Sequence, residues 1–295
     1  MSACDPPVTA VRAAVTRALE EDLTPLGDIS SALLPPDAQA IARFVPRTDG
    51  VLAGTACATE TFRQVDEAIT CAWDVLDGES VHTGQVIGTV TGPLAGVLTG
   101  ERTALNFLSH LSGVATLAHR FVDAAGPGLR VWDTRKTTPG LRALEKAAVR
   151  AGGAVNHRGN LSEWVMLKDN HLTVLGIGDA VRRAREAYPG RLVQVECDTL
   201  EKLQEALDAD ADAVLLDNME PEQAQQAVAL ADDHAASMNR RRPLLELSGG
   251  ITLETISGYR QVGADLVSSG ALTNSAPVLD IGLDIEVGAS GSSAQ

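Results

Sequence analysis

Two patterns of apolar and polar residues succeed each other along the chain. In the first part, the spacing of apolar positions predicts two helices, at 11–20 and 55–65, and three strands, at 41–46, 69–76 and 85–90. A loop rich in proline and glycine separates the first helix from the first strand. We therefore expect the first part of the chain to be an α+β unit.

A long helical pattern follows between Leu98 and Ala125. The apolar residues that recur at helical spacing are Leu105, Leu108, Leu111, Val114, Ala115 and Ala118. This pattern predicts one long helix, or a broken pair of helices, that bridges two domains.

After Gly126, short apolar runs alternate with helix-like stretches. The runs are Leu129–Asp133, Trp164–Leu167, Leu192–Val195, Ala213–Leu216, Leu244–Leu247 and Asp265–Ser268, with a weaker candidate at Ala154–Val155. The intervening lengths suit the crossover connections that parallel strands require. We expect a parallel sheet of six or seven strands, either open or closed into a barrel.

Polar residues stand where each predicted strand ends. They are Thr134–Lys136, His157–Arg158, Lys168–Asp169, Glu196, Asp217–Asn218, Ser248–Gly250 and Ser269–Gly270. In an α/β barrel these positions converge on one active site. In an open doubly wound sheet fewer of them converge, near a switch point.

The composition is that of an ordinary globular protein. The chain has 295 residues, 44% hydrophobic and 21% charged, which suits two unequal domains. Its longest apolar runs fall short of the roughly 18 residues of a membrane span, and Met1–Val8 does not resemble a secretory signal. The four scattered cysteines are expected to be structural thiols in a reducing compartment: Cys4, Cys57, Cys71 and Cys197. We expect a cytoplasmic protein without membrane contact.

The charge distribution is uneven. The net charge of −15 repels nucleic acids and acidic membranes at long range, so neither is an expected partner. Within Arg135–His171, however, seven Lys or Arg face three acids, a local charge of +4. Such a basic island concentrates the field on a small anionic ligand. The spacing of Arg142, Lys146 and Arg150 predicts that these three form a solvated stripe on a helix.

Serine and glycine occur together after the last two predicted strands, at Ser248–Gly250 and Ser269–Gly270. Backbone N–H groups at such turns can approach a phosphate at a helix N-terminus, and α/β barrels commonly bind phosphate at these strands. One turn alone is typical of an ordinary helix cap. Two such turns, one after each of the last two predicted strands, favour a phosphate site.

Two carboxylates, Glu196 and Asp217, directly follow apolar runs. An unpaired carboxylate is costly to bury there. The two residues either pair with nearby basic residues or hold ribose hydroxyls or a magnesium ion, which prefers oxygen ligands. Arg135 and Arg158 suit bidentate binding of carboxylates or phosphates, and Lys168 offers a point charge.

Nine motifs follow one another along the chain. They are D-L-T-P-L-G-D-I-S (Asp22–Ser30), G-E-R-T-A-L-N-F-L (Gly100–Leu108), W-D-T-R-K-T-T-P-G-L-R (Trp132–Arg142), G-G-A-V-N-H-R (Gly152–Arg158), L-K-D-N-H (Leu167–His171), V-E-C-D (Val195–Asp198), L-L-D-N (Leu215–Asn218), E-L-S-G-G-I (Glu246–Ile251) and S-S-G-A-L-T (Ser268–Thr273). In this order they closely resemble the quinolinate phosphoribosyltransferase family, over nearly the whole chain.

The resemblance implies an N-terminal α/β sandwich and an incomplete, seven-stranded parallel α/β barrel. The sandwich would comprise 1–115 with the returning tail 272–295, and the barrel 116–271. In the family, quinolinate and 5-phosphoribosyl-1-pyrophosphate give nicotinate mononucleotide, pyrophosphate and carbon dioxide, with Mg²⁺ as cofactor, in NAD biosynthesis. The implied enzyme is a pentosyltransferase that acts as a homodimer or hexamer.

The resemblance also implies residue roles. The residues that would hold the quinolinate carboxylates are Arg135, His157, Arg158 and Lys168. Those that would cradle the 5-phosphate are Ser248, Gly249, Gly250, Ser269, Gly270 and Ala271. Lys136 and Lys168 would hold the pyrophosphate, with Thr134 beside them. Glu196 and Asp217 would contact the ribose and its magnesium, directly or through substrate or water.

The catalytic set implied by the family is Lys136, Lys168, Glu196 and Asp217. Arg102 would arrive from a neighbouring subunit, which makes a dimer the minimal active unit. One departure is Asn274, where family members often carry a histidine, and it removes a titratable donor. His157 and His171 are further donors without a defined part in proton transfer.

Three other functions fit parts of the pattern. A barrel aldolase could use Lys136 or Lys168 as a Schiff-base amine. A nicotinate phosphoribosyltransferase would use the decarboxylated base and release no carbon dioxide. A non-enzymatic sensor of a phosphorylated metabolite would leave the many polar strand ends without a purpose.

Overall fold

The structure is a computed structural model that describes residues 5–287. It divides into two compact units. Unit 1 contains the described parts of Met1–His119, Thr137–Gly153 and Leu272–Gln295, and unit 2 contains Arg120–Lys136 and Ala154–Ala271. The domain division expected from the sequence, at 115/116 and 271/272, stays a prediction.

The elements are numbered along the chain. The α-helices of residues 5–287 are α1 (Val8–Leu23), α2 (Thr55–Val65), α3 (Leu94–Ala125), α4 (Arg142–Ala151), α5 (Asp169–Leu175), α6 (Ile177–Ala187), α7 (Leu200–Asp208), α8 (Pro221–Ser237) and α9 (Ala271–Asn274). The strands are β1 (Gln39–Pro46), β2 (Gly50–Val51), β3 (Thr70–Trp73), β4 (Ser80–Val81), β5 (Gly88–Pro93), β6 (Arg130–Trp132), β7 (Val165–Leu167), β8 (Val193–Cys197), β9 (Ala213–Asp217), β10 (Leu244–Ser248), β11 (Leu266–Ser268) and β12 (Ile281–Val287). Among these helices none is long and apolar enough to cross a membrane.

Unit 1 is built on an antiparallel sheet with the strand order β12-β1-β5-β3. Alternate residues of β1, namely Ala40, Ala42 and Phe44, are buried, as expected of a strand with one face on the core. Phe44 stacks on Trp73 with ring centroids 4.8 Å apart and meets Phe62 of α2 edge-on at 6.3 Å. These aromatic contacts hold α2 against the sheet.

The stripe predicted on α4 is wrong. Lys146 is buried, with 7% of its surface exposed, and Arg142 and Arg150 are partly buried. Arg142 Nε donates to Thr137 Oγ1 at 3.0 Å, and Arg150 donates to the carbonyl of Asp5 at 3.2 Å. The helix is covered on more than its apolar face, so helical spacing alone did not identify a solvated side.

Unit 2 contains a parallel sheet of six strands with the order β6-β11-β10-β9-β8-β7. The six runs predicted from the sequence are these six strands. The weaker candidate at Ala154–Val155 is reduced to a single bridge, in which Val155 pairs with Trp132. The sheet is therefore extended at β6 by one residue pair rather than by a full seventh strand.

The register of the central strands determines which side chains share a face. Leu215 is the partner of both Glu196 and Glu246, and Asp217 is the partner of Ser248. Directly paired residues lie on the same face of a sheet, and side chains alternate along each strand. Polar side chains of β8, β9 and β10 therefore project from one face, toward the carboxyl ends of the strands.

The three cysteines within the described residues are free thiols. Burial raises the pKa of Cys57 and Cys197 to about 12 and that of Cys71 to about 11. Thiols with such high pKa values are almost wholly protonated at neutral pH and are poor nucleophiles. Cys4 lies outside the described residues.

Candidate active site

A cavity of about 500 Å³ opens in unit 2 at the carboxyl ends of the parallel strands. Its lining comes from the ends of all six strands and from the loop after Val155. The lining residues are Thr134, Arg135, Lys136, His157, Arg158, Met166, Lys168, Glu196, Leu215, Asp217, Asn218, Glu246, Ser248, Gly249, Gly250 and Ser268. Twelve of these are residues that the sequence analysis placed at the ends of the predicted strands.

Four residues to which the family resemblance gave a role in substrate binding do not line this cavity. Arg102 is exposed on α3, in unit 1. Ser269 is buried, and its Oγ donates to the carbonyl of Ile251 at 3.0 Å. Gly270 and Ala271 are not lining residues, although a Cβ built on Gly270 would lie 2.8 Å from Lys136 Cδ. Gly270 therefore leaves room for the Lys136 side chain.

The cationic side of the cavity is formed by Arg135 and Arg158. Arg158 donates to the carbonyl of Trp164 at 3.2 Å and to the sulfur of Met166 at 3.5 Å. Burial lowers the pKa of its guanidinium, and the neighbouring charge of Arg135 lowers it further. Two guanidiniums held near each other in a partly buried site favour a ligand that brings negative charge.

Lys168 stands between the cationic and acidic sides. Its ammonium contacts the carboxylate of Glu196, which lies beside it because Leu167 and Val195 are register partners. The backbone N–H of Lys168 donates to Nδ1 of His171 at 3.1 Å. His171 is exposed and orients the start of α5, so it supports Lys168 from outside the cavity.

Glu196 and Asp217 form the acidic side. Burial raises the pKa of Asp217, and the negative charge of Glu196 raises it further, whereas Lys168 acts in the opposite direction. Asp217 also accepts a hydrogen bond from Nδ2 of Asn218 at 2.8 Å. Two carboxylates that repel each other are stabilised by a cation or by hydroxyl donors.

The turn after β10 lies against Asn218. Gly249 has a φ of +97°, and a Cβ at this position would lie 2.2 Å from Oδ1 of Asn218. Asn218 itself has a φ of 55°, and its N–H donates to the carbonyl of Ser248 at 2.8 Å. Only glycine fits this close approach, which leaves the backbone of the turn open to the cavity. Ser268 Oγ donates to Ser248 Oγ at 3.1 Å at its edge.

Buried acids hold the loop that carries His157. Asp133, fully buried, accepts the backbone N–H of His157 at 2.7 Å and Nδ2 of Asn156 at 2.8 Å. The ring of His157 has Nε2 3.2 Å from Glu246 Oε2, and its Nδ1 accepts the N–H of Arg158 at 2.8 Å. Protein groups therefore engage both ring nitrogens.

The sequence reasoning missed four lining residues. They are Met166, Leu215, Glu246 and Ser268. Glu246 had a usable signal, because a charged residue between Leu245 and Leu247 interrupts an apolar run. Met166 and Leu215 had none, since apolar residues within a strand are expected in any core.

Comparisons with known proteins agree with this geometry. Family models of quinolinate phosphoribosyl transferase match residues 28–112 (N-terminal domain) and 114–284 (C-terminal domain). The nicotinate-nucleotide pyrophosphorylase (carboxylating) of Mycobacterium leprae is 42% identical over 281 residues, covering 94% of this chain and 97% of that protein.

Solved structures are similar over almost the full length. The nicotinate-nucleotide pyrophosphorylase of Francisella tularensis superposes with a TM-score of 0.89 at 34% identity, covering 96% of this chain and 98% of that one. NadC from Streptococcus pyogenes gives the same TM-score at 37% identity, covering 96% and 99%. The expected fold class, the phosphoribosyltransferase function in NAD biosynthesis and the enzyme class are confirmed. The chain belongs to the quinolinate phosphoribosyltransferase family.

Proposed function

We propose that the cavity of unit 2 binds quinolinate and 5-phosphoribosyl-1-pyrophosphate together. The phosphoribosyl group is transferred to the pyridine nitrogen, and nicotinate mononucleotide, pyrophosphate and carbon dioxide leave. One observation carries the proposal: a single cavity combines paired guanidiniums, a carboxylate pair and an open glycine turn. Each feature suits one part of the two substrates.

Arg135, Arg158 and Lys168 hold the two carboxylates of quinolinate. The arginine forks match a carboxylate in a bidentate manner, and a dianion offsets the repulsion between the two guanidiniums. His157 completes this subsite. Its ring nitrogens are engaged by Glu246 and by the Arg158 backbone, so it supports the arginine rather than adding a charge.

The phosphates bind to other residues of the same cavity and share Lys168 with quinolinate. Ser248, Gly249 and Gly250 present backbone N–H groups to the 5-phosphate. The turn Ser269–Ala271 belongs to the same subsite, and Ser269 Oγ donates to the carbonyl of Ile251, the residue after Gly250. Lys136 and Lys168 hold the pyrophosphate, next to Thr134, whose Oγ1 accepts the N–H of Lys136 at 2.9 Å. Cations on the leaving group stabilise the negative charge that grows there.

Glu196 and Asp217 lie where the ribose is bound. Positive charge develops on the reacting ribose carbon as pyrophosphate departs, and neighbouring carboxylates stabilise it. The site requires no nucleophilic side chain, because the pyridine nitrogen is the attacking atom. Once alkylated, the nitrogen is cationic. When the bond from C2 to its carboxylate breaks and carbon dioxide leaves, the electron pair stays on C2, where the adjacent cationic nitrogen stabilises it until C2 takes a proton from water.

The donor set fits a magnesium ion that is shared with substrate. Residues 5–287 contain no cluster of three or more His, Cys, Asp or Glu side chains that could hold a metal ion. Burial and the negative charge of Glu196 raise the pKa of Asp217, so a nearby cation would stabilise its carboxylate. Magnesium typically keeps waters and substrate phosphates as ligands beside one or two carboxylates. When bound, it neutralises the charge of the pyrophosphate leaving group.

We propose that the active unit is at least a dimer to which Arg102 contributes across the interface. Arg102 is exposed on α3, where it is available to a partner subunit. A further cation from another chain suits two substrates that together carry many negative charges.

An enzyme assay with quinolinate or nicotinate as the pyridine substrate tests this proposal. Wild-type protein incubated with quinolinate carboxyl-labelled at C2, phosphoribosyl pyrophosphate and Mg²⁺ should release labelled carbon dioxide and form nicotinate mononucleotide in equal amounts. Nicotinate in place of quinolinate should give no comparable product. Efficient turnover of nicotinate, or no product from quinolinate, would reject the proposal.

A further inference from the structure

Glu246 is a buried carboxylate on the wall of the cavity. It lies in the middle of β10 with 1% of its surface exposed. Its Oε2 accepts from Nε2 of Gln194 at 2.6 Å and lies 3.2 Å from Nε2 of His157. Its Oε1 has no hydrogen-bond partner among the residues that the structure describes. Burying a carboxylate in this way costs free energy of folding unless hydrogen bonds compensate for the lost water.

The partners of both ring nitrogens indicate the tautomer of His157. The N–H of Arg158 can only donate, so Nδ1 of His157, 2.8 Å away, must carry a lone pair. The ring proton therefore sits on Nε2, from which it is donated to Glu246. The carboxylate of Glu246 favours this tautomer because it accepts the proton on Nε2. The Arg158 N–H disfavours the other tautomer, in which a proton on Nδ1 would face it.

The same hydrogen bonds close a circuit that returns to Arg158. Gln194 donates to Glu246 and accepts from the indole N–H of Trp164 at 3.2 Å. The carbonyl of Trp164 then accepts from the guanidinium of Arg158 at 3.2 Å. The rings of His157 and Trp164 pack with centroids 4.8 Å apart inside this circuit. Both the backbone and the guanidinium of Arg158 are thus connected to Glu246.

We propose that Glu246 is a positioning residue for the subsite that binds the base, and that it acts by fixing His157 as the Nε2–H tautomer and thereby orienting Arg158. This inference rests on the proposed function, in which Arg158 binds a carboxylate of quinolinate. Glu246 does not touch the substrate in this account. Its effect passes through the histidine and the arginine.

Orientation and simple electrostatics give opposite expectations for Glu246→Gln. The substitution removes a negative charge from the wall of a cavity that binds a dianion. If Glu246 acted only through its charge, quinolinate would bind more tightly to the variant. If Glu246 orients Arg158, quinolinate binds more weakly to the variant. A neutral amide oxygen at the Oε2 position accepts more weakly from His157 and Gln194 than a carboxylate does, and the amide NH2 is buried at the Oε1 position, which has no hydrogen-bond partner among the described residues.

The experiment measures KM and kcat for both substrates in Glu246→Gln, His157→Asn and the double variant. His157→Asn keeps an acceptor near Nδ1 but breaks the link to Glu246. We expect each single variant to raise the KM for quinolinate roughly tenfold, with the KM for phosphoribosyl pyrophosphate unchanged. The double variant should be no worse than the weaker-binding single variant, because both remove the same link.

Glu145→Gln is the matched control. Glu145 is also fully buried and pairs with a histidine, His110, at 2.8 Å, but it does not line the cavity. The Glu145→Gln substitution should lower the unfolding temperature without changing the KM for quinolinate. A lower or unchanged KM in Glu246→Gln, or additive effects in the double variant, would overturn the inference, provided that the wild type turns over quinolinate. A wild type without turnover would instead reject the proposed function.

A spectroscopic measurement tests the inference without activity. In protein labelled with ¹⁵N-histidine, the signals absent from His157→Asn identify the ring of His157. We expect wild type to show a protonated Nε2 and an unprotonated Nδ1, and Glu246→Gln to show a mixture of tautomers. Retention of one tautomer in Glu246→Gln would contradict the inference even if that variant proved too unstable for kinetics.

Discussion

The ammonium of Lys168 is hydrogen-bonded to the carboxylate of Glu196, its neighbour on the adjacent strand. The two substrates bring further negative charge to this lysine. Lys168→Ala should therefore lower turnover about 100-fold or more, because it removes a cation from the leaving group and leaves Glu196 unpaired. Lys202→Ala is the control, since Lys202 pairs with Asp169 and Asp198 and does not line the cavity. Steady-state kinetics measure the turnover of both variants, and circular dichroism checks that both are folded. Equal activity of the two variants would contradict the role of Lys168 in binding the leaving group.

Arg158→Lys keeps the charge but loses the fork that binds a carboxylate. We expect the KM for quinolinate to rise at least tenfold, with a smaller change in the KM for phosphoribosyl pyrophosphate. Arg158→Ala should cut turnover further while the fold remains intact. Arg191→Ala, which changes an exposed arginine of unit 2, is the matched control. A rise in both KM values by the same factor would argue against a specific carboxylate contact.

Comparison of Gly249→Ala with Gly250→Ala separates the steric clash with Asn218 from the backbone strain of a positive φ as causes of lost stability. Both glycines have positive φ, but a Cβ on Gly249 meets Asn218 at 2.2 Å, whereas a Cβ on Gly250 has no atom within 4 Å. Strain alone costs about 1–2 kcal/mol. We expect Gly249→Ala to lose clearly more stability than Gly250→Ala in urea unfolding and to raise the KM for phosphoribosyl pyrophosphate more. Equal losses would mean that Asn218 moves aside easily.

Asp217→Asn should stabilise the protein at neutral pH while it abolishes most activity. The raised pKa of Asp217 means that its charged form destabilises the fold above that pKa. The stabilisation should therefore shrink as the pH falls toward the ordinary value of 3.8. Asp198→Asn should do the opposite, because a hydrogen bond from Lys202 lowers the pKa of Asp198. Its cost, at most about 1 kcal/mol at this exposed pair, should vanish at low pH.

Unfolding temperatures measured against pH test both aspartates together. A destabilising effect of Asp217→Asn at pH 7 would contradict the assigned cause of its pKa shift.

Mixing two inactive variants tests the shared site. Arg102→Ala and Lys168→Ala should each be inactive alone. If Arg102 acts across an interface, mixed dimers contain one site with both residues intact, and up to about a quarter of the wild-type sites should recover. No recovery, after subunit exchange has been shown by mass spectrometry, would restrict Arg102 to its own chain.

The ends of the parallel strands could be predicted from sequence because an apolar run that stops at a polar residue is a local signal. Lys168, Glu196 and Asp217 each follow or complete such a run, and parallel pairing brings them to one edge. The burial of Lys146 could not be predicted in this way. Helical periodicity shows which residues share a face of a helix. It does not show which faces are covered, because the residues that cover a face lie far away in the sequence.

The polar circuit beneath the cavity depends on register, which single-strand patterns do not contain. Gln194 and Glu246 lie on different strands, 52 residues apart, and their hydrogen bond exists only because β8, β9 and β10 pair in one alignment. Each appeared as one polar residue within an apolar run. The nine ordered motifs identified the family, but none of them stated which side chains meet.

The pairing of β12 with β1 has a consequence for synthesis of the chain. β12 is synthesised after every other strand of residues 5–287, yet it pairs with an edge of β1, which is made early. Until β12 arrives, β1 is an open edge strand, the kind of surface on which neighbouring chains add strands and aggregate. Substitutions that disturb the pairing of β12 with β1 should therefore lower the yield of soluble protein even though they leave the residues of the cavity unchanged.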